Sequence, residues 1–201
     1  MSGHLPVSSK DIFDHLMRVT PHKKFLSKGG LGNEIPYFIC PYAPSIEIEL
    51  TKIRHSLVSR LREAGISVLD LNLLDVSLGL LKERGILDQL LDTEADYEKS
   101  ELRELLQSVL DPETHLVPAL LSRLKEGTDL LILSGLGEVF PFVRAHAVLN
   151  NLQSRAGQQL TLMFFPGTYT HVQESGATLD VLGLRQEDRY YRAFNILEYE
   201  V

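Results

Sequence analysis

The stretch DLLILSGLGEVFPFVRAHAVLNNLQ, residues 129–153, decides the fold. Leu130 to Leu133 are continuously apolar, the pattern of a strand buried on both faces of a parallel sheet. A glycine turn at Gly135 and Gly137 follows, and then an apolar-rich helix. QLTLMFFPG, residues 159–167, reads as a second strand of the same kind. Strand, helix and strand in this order form a βαβ unit with parallel pairing and a right-handed crossover.

Upstream, PSIEIELTKIRHSLVSRLREAG (44–65) repeats apolar residues every three or four positions at Ile46, Leu50, Ile53, Leu57 and Leu61. It predicts a helix with Ser45 at the N-cap and Gly65 just past the end. IPYFICPY (35–42), with the strand starting after Pro36, and ISVLDLN (66–72) flank it, giving an earlier βαβ unit. Residues 9–19 predict a short helix capped by Ser9, and Pro21 disfavours helical geometry at Thr20. Residues 73–126 are helical in pattern, far longer than one crossover helix needs, and read as a helical insertion between the second and third main strands. Within it Gly85 ends a helix, Asp111 and Pro112 start another, Pro118 kinks or divides it and Gly127 stops it. The C-terminal GATLDVLGLRQEDRYYRAFNILEYE predicts two short strands around an arginine-rich turn. The expected fold class is α/β: one three-layer Rossmann-like domain over residues 1–201, with a mostly parallel sheet.

Composition narrows the function. The chain of 201 residues is 44% hydrophobic with a formal net charge of −7. A nucleic-acid binder ordinarily shows a basic face, so autonomous duplex DNA binding is not expected. The single cysteine, Cys40, excludes an internal disulfide and a four-cysteine zinc site, and fits a reducing cytoplasm. No signal peptide is read at the N-terminus, and no apolar run approaches the roughly 18 residues of a membrane span. The seven histidines form no HExxH pair or Cys/His cluster, so no metal and no cofactor are expected.

The turn at Ser134, Gly135 and Gly137 lies where ligands gather in open α/β sheets, beyond the C-terminal ends of strands. Its backbone N–H groups offer an anion cradle, yet the specific signatures are missing. No lysine follows as in a phosphate loop, Phe140 stands where a dinucleotide fingerprint has its third glycine, and Ile132 stands where a nucleophile elbow has its first. Ordinary turn chemistry and an anion or nucleotide site remain as alternatives. On the following helix His146 and Asn150 share one side, while Arg144 and Asn151 share nearly the opposite one. Arg144 there is a partner for a carboxylate or strand-end carbonyls, or a binding residue; the asparagines tie down backbone.

Asp70, at the second strand's end, is a ligand, a helix cap or an arginine's partner. Glu34, after the glycine loop, is another candidate acid. Tyr190, Tyr191 and Arg192 are of the types enriched at protein interfaces, stack on single-stranded bases, or close the edge of the core.

GNEIPYFI, SGLGEVFPFVRAHAVLNNLQ, MFFPGTY and YYRAFNI, in this order between residues 32 and 196, resemble the BrxB family of BREX bacteriophage-exclusion systems. The resemblance implies a non-enzymatic core component of a bacterial phage-defence system, with other BREX proteins as partners and the PglZ-like phosphatase-fold protein as first candidate. It gives family-typical status to Gly32, Asn33, Glu34, Pro36, Gly135, Pro141, Arg144, His146, Asn150, Asn151, Pro166, Gly167, Tyr190, Tyr191, Arg192 and Phe194. The segment after PGTY, THVQESGATLDVLGL, is longer than the family pattern implies.

Overall fold

The structure, a computed structural model, describes residues 8–27, 36–93, 96–172, 176–181, 184–185 and 193–201. It is a three-layer, Rossmann-like α/β arrangement. The strands β1 (Tyr37–Tyr42), β2 (Val68–Asn72), β3 (Leu130–Ser134), β4 (Thr161–Val172) and β7 (Phe194–Asn195) form a sheet in the order β2-β3-β4-β1-β7, with every pair parallel. The first half of β4 lies between β3 and β1, with Phe38 opposite Leu162 and Ile132 opposite the same residue. Beyond Pro166 the strand leaves that sheet and pairs antiparallel with β5 (Gly176–Val181), which in turn pairs with β6 (Leu184–Arg185).

Two helical layers cover the sheet. On one face α1 (Ser9–Val19), the short α2 (Lys23–Leu26) and α3 (Glu47–Glu63) bury Ile12, Leu16, Phe25, Leu50, Leu57 and Leu61 against Phe38, Cys40, Ile132, Leu162 and Phe164. Phe25, Phe38, Phe194 and Tyr199 meet there as tilted and edge-on ring pairs, the arrangement the ring quadrupole favours. His15 Nε2 lies 2.7 Å from the Ile196 carbonyl, and so fastens the C-terminal segment to α1. On the other face pack α4 (Leu73–Glu83), α5 (Ile86–Thr93), α6 (Lys99–Val109), a π-turn at Pro112–Leu116, α7 (Val117–Leu121) and α9 (Ala145–Arg155). Leu73, Leu116, Val148, Leu149 and Leu152 are fully buried there against Leu131, Leu133 and Met163.

Several expectations need correction. β1 and β2 are not neighbours; β4 and β3 lie between them. The βαβ order predicts parallel direction, but which strands adjoin is decided by packing across the whole sheet. The cap of α1 is Ser8, whose hydroxyl accepts from Asp11 N–H at 3.2 Å, not Ser9. Thr20 keeps helical dihedrals before Pro21 and returns its hydroxyl to the Leu16 carbonyl at 2.8 Å. Ser45 lies within a 3-10 turn, Pro44–Ile46, and Ile46 precedes α3 without a side-chain cap. Asp111 does cap, accepting from Thr114 N–H at 2.9 Å, but the helix it opens ends at Leu121, well before Gly127.

The largest correction falls inside the opening stretch. The helix after the glycine turn is two helices, α8 (Leu136–Val139) and α9, because Phe140 adopts extended backbone before Pro141. A residue preceding proline is pushed out of the α region by contact with the ring. Arg144 is therefore not mid-helix; it sits extended and exposed in front of α9.

Candidate functional site

The connection from β1 runs over one face through α3, and those from β2 and β3 run over the other. Where successive strands exit to opposite faces, nothing fills the space beyond the strand ends, and a crevice results. Here it is a cleft of about 80 Å³ lined by Tyr42, Asn72 and Ser134, the last residues of β1, β2 and β3, and by Phe164 of β4. Glu47, Leu50, Thr51 and Arg54 from the first turns of α3 form one wall, and Gly135 and Glu138 complete it. Pockets for drug-sized ligands run to about 300–1,000 Å³, so this one suits a small group rather than a whole nucleotide.

Its chemistry is acidic. The Tyr42 hydroxyl donates to Glu47 Oε2 at 2.5 Å. Burial first, and then the hydrogen bond to Glu47 and the charges of Glu47 and Glu138, push the Tyr42 hydroxyl far above the ordinary phenol range, so it remains a donor. Asn72 has two tasks. Its Oδ1 accepts from Leu74 N–H at 2.7 Å and Asp75 N–H at 3.2 Å, capping α4, and its Nδ2 donates to Glu138 Oε2 at 3.0 Å. Arg54, 8% exposed, donates through Nη1 to both carboxylate oxygens of Asp70. That buried pair satisfies both its charges. Ser134 is 7% exposed, and its buried Oγ has no hydrogen-bond partner among the described residues.

The glycine turn now has a physical explanation. Gly135 has φ +78°, and a Cβ there would lie 2.4 Å from Asn72 Oδ1. The position needs both left-handed backbone and the absence of a side chain, so that the Asn72 cap can pass. A Cβ at Gly137 would lie 3.0 Å from Pro166 Cγ, which brings α8 close onto β4. An anion seated here would face Glu47 and Glu138, so the geometry weighs against an anion cradle.

Of the candidate residues, Ser134 and Gly135 line the cleft, and Gly137 packs beside it. Arg144, His146, Asn150 and Asn151 do not line it. The Arg144 carbonyl accepts from Val148 N–H at 3.2 Å, and no hydrogen bond or ion pair joins its side chain to another described residue. Asn151 bonds the Ala147 carbonyl of its own helix at 2.9 Å, as the backbone-tying reading expects. His146 and Asn150 are partly buried on α9. Asp70 lies within β2 rather than at its end, and is an arginine's partner. Asn33, Glu34, Tyr190, Tyr191 and Arg192 lie outside the described residues.

Sequence reasoning missed Tyr42, Glu47, Arg54, Asn72 and Glu138. The strand-end rule could have found Tyr42 and Asn72, since each closes a legible strand. No spacing connects Glu47 with Glu138, which come together only through the sheet order.

The described geometry can be set beside known proteins. The family profile described as "BREX protein BrxB" matches residues 69–196. This chain belongs to the BrxB family. A BREX protein BrxB from Bacillus cereus (strain H3081.97) is 30% identical over 190 residues, covering 92% of this chain and 95% of that protein. A BREX protein BrxB from Escherichia coli O9:H4 (strain HS) is 29% identical over 176 residues, covering 87% of this chain and 84% of the relative. The BrxB match spans β2 through β7, and so takes in Asn72, Ser134, Gly135 and Glu138 of the cleft together with all of α9.

Proposed function

We propose that this BrxB-family chain acts in bacterial phage defence as a non-enzymatic docking component of a BREX system, in the cytoplasm, binding another BREX protein. The PglZ-like phosphatase-fold protein is the first partner to test. The observation that carries the reading is the near full-length similarity to BREX proteins, 92% of this chain against 95% of the Bacillus cereus relative. The helical insertion supplies surface for docking: Leu78 of α4 is 39% exposed and Leu91 of α5 is 67% exposed, large apolar side chains left in water. A stable interface typically buries about 800 Å² on each partner, well within the 11,710 Å² this chain exposes. Among the described residues no helix is long and apolar enough to cross a membrane.

Co-expression with each BREX partner followed by size-exclusion chromatography at micromolar concentration tests this. Co-elution in a fixed ratio with one partner, weakened by Leu91→Asp without loss of folding, supports docking. Separate elution from every BREX protein contradicts it.

A further inference from the structure

We propose that the outer face of α5 docks a surface of another protein in which lysine and arginine ring an apolar patch. The inference rests on the docking role proposed above and adds the place of contact and the chemistry of the partner. α5 differs from its neighbours in the insertion. α4 buries Leu73, Val76, Leu80 and Leu81, and α6 buries Leu106 and Val109. α5, ILDQLLDT, has four large apolar residues, yet none of its side chains is fully buried. Ile86, Leu87 and Leu90 rest on the outside of the core and are partly buried. Leu91 is turned away from it and is 67% exposed. Leu78, on the helix that α5 packs against, is 39% exposed. Exposed apolar surface rimmed by polar residues marks an interaction site.

Charge decides what covers this face. Asp88 stands three positions before Leu91 and Asp92 one position after it, and both are exposed. Residues three apart are neighbours on a helix surface, so Asp88 borders Leu91 directly. No ion pair engages either carboxylate among the described residues. From Glu83 to Glu104 the chain carries eight acidic residues and three basic ones, so five of its seven net negative charges fall in this one segment.

That sign sorts the occupants. Nucleic acid and anionic membranes carry phosphate and are repelled. A second copy would set the same acids against one another. A basic rim around an apolar centre satisfies both halves of the face: the centre covers Leu91 and Leu78, and the rim meets Asp88 and Asp92.

The test uses the full-length chain and the BREX protein that co-elutes with it, with the dissociation constant measured by isothermal titration calorimetry. Raising salt from about 50 mM to about 300 mM should weaken binding about tenfold, since salt screens exposed charges. Asp88→Lys with Asp92→Lys should weaken it about tenfold or more and flatten the salt response. Leu91→Ser should also weaken it about tenfold while keeping the salt response, because it removes the apolar centre and leaves the rim. The control is Glu49→Lys with Glu63→Lys on α3, exposed positions on the opposite layer, which makes the same change in net charge and should alter the constant less than about twofold. All four positions and Leu91 are exposed, and unchanged melting by circular dichroism checks that the fold is kept. Binding that ignores both salt and the α5 reversals leaves the docking role standing and overturns this inference. An equal loss from the α3 pair overturns it too, since overall charge and not the α5 face would then act. Self-association of the chain alone, abolished by Leu91→Ser, assigns the face to a second copy and overturns the basic partner. Separate elution from every BREX protein removes the docking role and this inference together.

Discussion

Residues 129–153 divide at Phe140–Pro141 into two parts that use their polar residues differently. In the second part, α9, packing accounts for nearly everything: Val148, Leu149 and Leu152 are fully buried, and Asn151 spends its amide on its own helix. In the first part, Ser134 is buried without a hydrogen-bond partner among the described residues, Gly135 takes left-handed backbone to admit a neighbour's cap, and Glu138 stands exposed beside a cleft. Stability explains the helix. It does not explain a buried hydroxyl that has no partner among the described residues. The contrast separates residues that build the platform from residues free to meet something else.

Substitutions can break or sharpen that contrast. The largest effect is expected beneath the cleft, at Arg54→Met. It leaves the largely buried Asp70 carboxylate without its arginine, and should cost about 3–5 kcal/mol in chemical denaturation. Adding Asp70→Leu should recover much of the loss, because no lone charge remains. Leu149→Ala on α9 should cost about 3 kcal/mol through lost burial and the cavity left behind. Gly135→Ala should cost about 2 kcal/mol, since alanine pays for left-handed backbone and its Cβ displaces the Asn72 cap of α4. Ser134→Ala is the smallest: removing an unsatisfied hydroxyl should leave the denaturation midpoint within about 0.5 kcal/mol of the parent, or raise it. If Ser134→Ala proved as damaging as Leu149→Ala, the turn would be as structural as the helix and the contrast would fail.

The fold class was legible because the periods are strong. The continuous apolar runs of β3 and β4 and the three-to-four spacing of α3 can form little else. Strand order was not legible, since sequence states direction and sequence neighbours but not which strand slides between β1 and β2. The break between α8 and α9 was within reach: Pro141 stands in the sequence, and the rule for the residue before proline applies to Phe140 as it did to Thr20. The two cases went opposite ways, with Phe140 extended and Thr20 helical at its cap, so that rule marks a boundary without fixing the backbone. At the cleft, Ser134 and Gly135 were found from the strand–turn pattern. Glu47 and Glu138 were not, because 91 positions (138 − 47) separate them in the chain and only folding brings them to one wall.

The most direct measurement is cross-linking with mass spectrometry in cells carrying the complete BREX operon, using this chain as bait. Reproducible cross-links from α4 or α5 to one other BREX protein, reduced by Leu91→Asp, are the expected result. Cross-links to no BREX protein, together with substrate turnover by the isolated chain, would contradict a docking role.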